Sequence, residues 1–200
     1  DELPKDSFEE VFGTGLTKHD VLAAAFVSAD YAIDPCLNVR LGFGHGQRPP
    51  SLTERYAFLP FLTIIQNAGN APLGDPNLDP EKASQFDLAL IGNYEQTRFR
   101  VAGFCSLIED FITYDFFFFP TTPDIETLVF KNTRATLAGF EASGEHDLTC
   151  HLTPFFNMSY VDGRDQDRDA PLPSIFPFQT RVGIRWHDPE NKLFGIEFAA

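Results

Sequence analysis

Cysteine is too scarce here for a disulfide framework. Cys36, Cys105 and Cys150 are the only three in 200 residues, at least one must stay unpaired, and no CxxC pair or other zinc-type spacing occurs. They read as small hydrophobes, either buried or facing lipid. Positive charge is also short: 15 Lys and Arg stand against 29 Asp and Glu, a formal net charge of -14, so nucleic acid is excluded as a natural partner. No apolar run reaches the roughly 18 to 20 residues that a transmembrane helix needs. The opening DELPKDSFEE lacks the basic and then apolar layout of a signal peptide, which predicts a mature chain or a piece of a longer one. Catalytic signatures are missing as well. There is no nucleophile elbow, HExxH or paired-carboxylate motif, and GFGHG at Gly42–Gly46 has neither the spacing nor the following helix of a dinucleotide site. The expectation is a protein that is not an enzyme and carries no cofactor and no resident metal.

What the chain has in quantity is phenylalanine, 22 residues of it, set in runs that alternate apolar with polar or small side chains. In LNVRLGFGHGQ, Leu37, Val39, Leu41 and Phe43 share one side, while Asn38, Arg40, Gly42 and Gly44 share the other. In SQFDLALIGNY, Phe86, Leu88 and Leu90 oppose Gln85, Asp87 and Ala89. Period two is the mark of a strand, and about ten such residues suffice for a tilted strand to cross a bilayer. Similar runs begin near Asp20, Arg98, Thr127, Leu148, Gln179 and Lys192, and give a count of eight strands. The breaks between them alternate short and long. The short ones fall near residues 34, 95, 145 and 189, and the long ones span 48–83, 116–126 and 163–177. An antiparallel meander with all its long loops at one end explains this, and outer-membrane barrels segregate their loops in that way. Arg40, Asp87, Arg98, Arg100 and Glu141 on the second face fit a wet lumen; in a dry core each would be costly. A two-layer soluble sheet predicts the same alternation, so an extracellular β-sandwich or small-barrel binding module is the alternative.

Two motifs flank the longest break. The first is Arg48-Pro49-Pro50-Ser51-Leu52 with Glu54; the second is Gly74-Asp75-Pro76, Leu78 and Pro80-Glu81-Lys82. In this order they resemble the C-terminal half of the barrel of TonB-dependent outer-membrane receptors, although Gly46 and Gln47 replace the aromatic usual before the arginine. Softer matches at 106–115, 132–145, 159–165 and 171–186 extend the resemblance over roughly residues 20–200, with residues 1–19 as a loop or short helix. The resemblance implies an all-β fold, part of a barrel of about 22 strands filled by an N-terminal plug. It also implies TonB-energised uptake of a scarce nutrient, such as an iron chelate or cobalamin, through the outer membrane of a Gram-negative-type bacterium. Its partners would be the plug and remaining strands of a parent chain, the TonB complex, outer-membrane lipid and a small-molecule ligand. On that topology the long loops face outward and the short turns face the periplasm.

Within the motifs, proline removes a ladder donor and fixes φ, so Pro49, Pro50, Pro76 and Pro80 read as loop-forming, together with Gly74 and Glu81. Arg48, Glu54, Tyr56, Phe58 and Phe61 are the candidate ligand contacts, the aromatics because they are greasier than a solvated loop requires. Packing of the loop on itself is the competing explanation for each. Phe116–Phe119 read as an interfacial aromatic girdle. Asp165, Asp167 and Asp169 have the one-three-five spacing of a calcium loop, but Ala170 and Phe176 stand where its glycine and bidentate Glu belong.

Overall fold

A computed structural model describes residues 13, 16–57, 71–119, 122–176, 178–188 and 195–200, with backbone alone at 71, 117–119 and 122–127. The elements are β1 (Ala25–Asp34), β2 (Leu37–Arg48), α1 (Leu52–Tyr56), β3 (Ala71–Leu73), β4 (Glu81–Asn93) and β5 (Thr97–Phe119), then β6 (Thr122–His146), β7 (Leu152–Asp165), β8 (Ala170–Pro171), β9 (Gln179–His187) and β10 (Gly195–Ala199). The main sheet has the order β1-β2-β4-β5-β6-β7-β9-β10, an eight-strand meander as the alternation predicts. Two short strands lie off this path: β8 pairs antiparallel with β7, and β3 pairs parallel with β6. The parallel pair is possible because β3 arrives from a long connection and not from a hairpin.

Three boundaries depart from expectation. The break at 116–126 is absent: β5 runs to Phe119 and β6 starts at Thr122. Phe, Thr and Ile dominate FFFFPTTPDIE, and residues of this kind favour extended backbone even where charges and prolines suggest a loop. The turn expected at 144–147 falls at 147–151, because β6 continues through His146. Strand structure begins at Ala25, and Val21–Ala24, although apolar, carry none. The expected turn at 188–191 lies largely outside the described residues, as do most of 1–18.

The chain divides into two compact units, the first made of residues 1–24, 46–82 and 108–134, the second of 25–45, 83–107 and 135–200. In the second unit, registers fix which side chains share a face. Val27 pairs with Phe43 and Ala29 with Leu41. Phe140 pairs with Tyr160, Phe156 with Val182, and Ile184 with Phe198. This face is apolar, yet it is open: Val27 is 63% exposed, Leu41 and Leu88 each 54%, and Phe198 69%. Leu37 and Val39 are half-buried. Among the described residues the strands form one sheet, and no second sheet packs on this face as a sandwich would require. The opposite parity pairs Asp30 with Arg40, Glu141 with Ser159, and Asn157 with Arg181, so it is polar. In the first unit, Ala57 and Leu78 of the long connection are buried, as are Ile112 of β5 and Leu128 of β6.

Candidate functional site

The two sequence motifs, 26 residues apart from Arg48 to Gly74, meet in the first unit. Pro49 and Pro50 end β2, and Ser51 starts α1 with a capping box: its hydroxyl accepts from the Glu54 amide, and the Glu54 carboxylate accepts from the Ser51 amide at 2.6 Å. The same carboxylate takes both terminal nitrogens of Arg48, at 2.9 and 3.1 Å, while Arg48 Nε donates to Glu81 at 2.6 Å. The second oxygen of Glu81 accepts from the Ile112 amide at 2.8 Å. One arginine thus joins the end of β2, the helix and the start of β4. Burial pushes the Glu54 carboxyl up, but the Arg48 fork and the Ser51 bonds outweigh it and hold the group below its ordinary range. Hydrogen bonds to Glu81 and then Glu54 push the Arg48 guanidinium well above its usual value.

Gly74 closes the motif pair. Its amide donates to Ala57 O at 2.8 Å, and the Asp75 amide donates to Glu54 O at 3.0 Å. A Cβ on Gly74 would fall 2.5 Å from Arg55 C and Tyr56 N, so only glycine lets this backbone pass. Pro76 and Pro80 are half-buried and flank the buried Leu78. Arg55, which sequence reasoning passed over, is the most enclosed charge of the connection, at 7% exposed. Its fork grips Asp20 at 2.9 and 3.0 Å, and a nitrogen also reaches Leu78 O at 3.2 Å. The bond from Arg55 holds the Asp20 carboxyl below its ordinary range. No local signal marks Arg55 as buried, since its α1 neighbours Thr53, Glu54 and Tyr56 are polar or amphipathic and its partner lies 35 residues away. Tyr56 donates to Leu16 O at 2.5 Å. Asn132 bonds the amide and carbonyl of Asp79 and the carbonyl of Asp110, and Lys82 pairs with Asp110 at 2.6 Å. Asp110 adopts a left-handed φ of 56° inside β5, where the backbone bends to meet them. Of the candidate contacts, Arg48 and Glu54 are engaged with each other and Tyr56 with Leu16 of the segment before β1, and Phe58 and Phe61 lie outside the described residues.

The polar face of the second unit carries an open groove of about 780 Å³, lined by Arg100, Glu141, Ser143, Asn157, Gln179 and Arg181 among others. Beside it a charge ladder crosses the strands. Arg98 pairs with Glu145 at 2.5 Å and with Asp147 at 3.0 Å, Arg185 pairs with Glu145 and Glu197 at 2.8 Å each, and Arg181 pairs with Glu197 at 2.5 Å. Arg185 also lies 4.3 Å over the Phe155 ring, a cation–π contact. Sequence reasoning found Arg98, Arg100 and Glu141 but missed Glu145, Arg181, Arg185 and Glu197; the shared parity of 141 with 145, and of 181 with 185, was the available signal. His45 of the GFGHG run bonds Ser84 at 2.9 Å and lies in β2, with no phosphate cradle. Asp165 is buried and accepts from the amides of Asp167 and Arg168, while Asp169 is exposed. The acidic run is a turn, and no cluster of His, Cys, Asp and Glu suited to a metal occurs among the described residues. Phe116 is exposed and meets Tyr114 edge-on at 5.9 Å.

Comparison with known proteins gives the same picture. The family described as TonB dependent receptor-like, beta-barrel matches residues 18–199. Among solved structures, the copper transporter OprC superposes with a TM-score of 0.70 at 24% identity, over 84% of this chain and 24% of that one. The siderophore receptor PirA from Pseudomonas aeruginosa gives 0.68 at 15% identity, over 88% and 32%. The FrpB iron transporter from Neisseria meningitidis gives 0.58 at 11% identity, over 88% and 26%. The chain therefore spans about a quarter to a third of the length of these proteins. With a family match across nearly its whole length and the receptor barrel fold in its strands, this chain belongs to the TonB-dependent receptor β-barrel family.

Proposed function

We propose that the protein carrying this chain is an outer-membrane receptor that takes up a scarce nutrient, an iron chelate, cobalamin or a similar small molecule, with energy from TonB. The observation that carries the reading is the inverted sheet of the second unit, apolar on its open face and charged on the other. Acyl chains would cover Val27, Leu41, Leu88 and Phe198, and water would fill the side that holds Arg100, Glu141 and Arg181. The groove of about 780 Å³ is then a stretch of lumen wall. The proteins of similar fold include a copper transporter and siderophore receptors, which supports a metal or its chelate as cargo. A plug, the remaining barrel strands, the TonB complex and outer-membrane lipid are the proposed partners, and the protein does no bond chemistry. The wiring of Arg48, Glu54 and Tyr56 favours a scaffold role for them, and leaves Phe58 and Phe61 as the ligand contacts to test. A panel of iron chelates, cobalamin and copper should be offered to the full-length protein in detergent, alongside growth of a deletion strain under iron limitation. Saturable binding of a chelate with impaired growth supports the reading; unimpaired growth and no chelate binding would overturn its iron form.

A further inference from the structure

The connection that leaves β2 and the segment that enters β1 are separated by both strands in sequence, yet four hydrogen bonds within the first unit tie the entering segment to that connection and to the last residues of β2. Arg55 grips Asp20 through two nitrogens, Tyr56 donates to Leu16 O, and the Ala23 amide donates to Gln47 Oε1 at 3.2 Å. Arg55 is not an ordinary surface partner, because it is 7% exposed and also holds Leu78 O, deep in the same connection. A buried guanidinium that loses its carboxylate is left strongly unfavourable, so the site resists opening one bond at a time. We propose that Leu16–Asp20 and the assembly of α1 with Leu78 move as one body, pinned at Arg55, so that displacement of either is transmitted to the other. Under the uptake reading, a ligand touching one of these connections would reposition both, although the mechanical coupling itself does not depend on what the ligand is.

The test is amide hydrogen exchange on the full-length protein without ligand, so that failure of the coupling is distinguishable from failure of the uptake reading. Asp20→Asn alters the entering segment alone. The amides of Gly74 and Asp75 make their bonds to Ala57 O and Glu54 O and none to Asp20, so they report the other connection. Coupling predicts that Asp20→Asn speeds exchange at Gly74 and Asp75 at least tenfold while β4 stays protected. Reciprocity predicts that Tyr56→Phe, a milder change made on the other side, speeds exchange at Ala23 by a few fold. The charge reversal Asp20→Arg with Arg55→Asp should recover most of the protection lost in Asp20→Asn. Faster exchange confined to the segment that carries the substitution, in either single variant, would overturn the proposal. Should Asp20→Asn fail to assemble, Tyr56→Phe decides alone by the same criterion.

Discussion

Gly74 shows how much a single side chain can decide. Its missing Cβ leaves room for the backbone of Arg55 and Tyr56 at 2.5 Å, and those atoms cannot swing aside as a flexible side chain would. Gly74→Ala is expected to cost about 1–3 kcal/mol, the usual penalty of overpacking. Proteinase nicking of the full-length protein between Ala57 and Gly74 should rise about tenfold, and an unchanged rate would show that the close approach is dispensable. Charge at this site also sets a pH limit. Asp20 and Glu54 both titrate lower when folded than when unfolded. Their contribution is therefore complete above the ordinary carboxylate value of about 4 and is lost as pH falls through the folded values. A spin label at the exposed Asn77, with the native cysteines replaced by serine, should gain mobility as pH falls below about 4 and stay constant between pH 6 and pH 9. Mobility that instead rises toward alkaline pH would reverse the assigned sign.

At the scale of elements, alternation within each strand separates two environments. Leu88 stands on the open apolar face of β4 beside Phe86, whose ring lies 4.7 Å from that of Phe43, while Asp87 points to the polar face. If the apolar face meets lipid, Leu88→Arg costs about 2–4 kcal/mol near the bilayer midplane, whereas Asp87→Asn costs little. The yield of folded, heat-modifiable full-length protein in outer-membrane fractions would read this, and equal yields for the two variants would count against lipid contact. The hairpin strands β5 and β6, at 23 and 25 residues, are more than twice the roughly ten residues that cross a bilayer. Their excess length accounts for the absent loop at 116–126: the stretch is built as strand, which reading its residues as loop formers could not foresee. The charge ladder from Arg98 to Glu197 binds neighbouring strands on the polar face. Because Glu145, Arg185 and Glu197 each have two partners, the ladder tolerates loss of one rung.

Among the described residues, the end strands of the sheet decide what the chain can do alone. The described strand order starts at β1 and stops at β10, and each of these has one neighbour on the main path. Unpaired backbone groups along such edges would be intolerable in hydrocarbon, where no water can satisfy them. The 200-residue segment by itself is therefore expected not to insert into lipid vesicles. Refolding it alone should give no protease-protected, heat-modifiable species, and refolding the full-length protein should give one. Insertion of the segment by itself would mean that its edges find partners in one another or in a second copy.

The eight-strand meander, the sidedness of the strands and the two family motifs were legible from the residues alone, because period two and proline chemistry are local properties written residue by residue. The sequence also located Arg48, Glu54 and Glu81. What it did not contain was their convergence on one guanidinium, the burial of Arg55 against Asp20, the parallel strand β3, or the left-handed turn at Asp110 that meets Lys82 and Asn132. These are contacts between residues from 6 to 56 positions apart, the widest being the pairing of Ala71 with Thr127. Local propensity has no reach over such distances: they exist only once the connection has folded back on the strands and excluded water from between them.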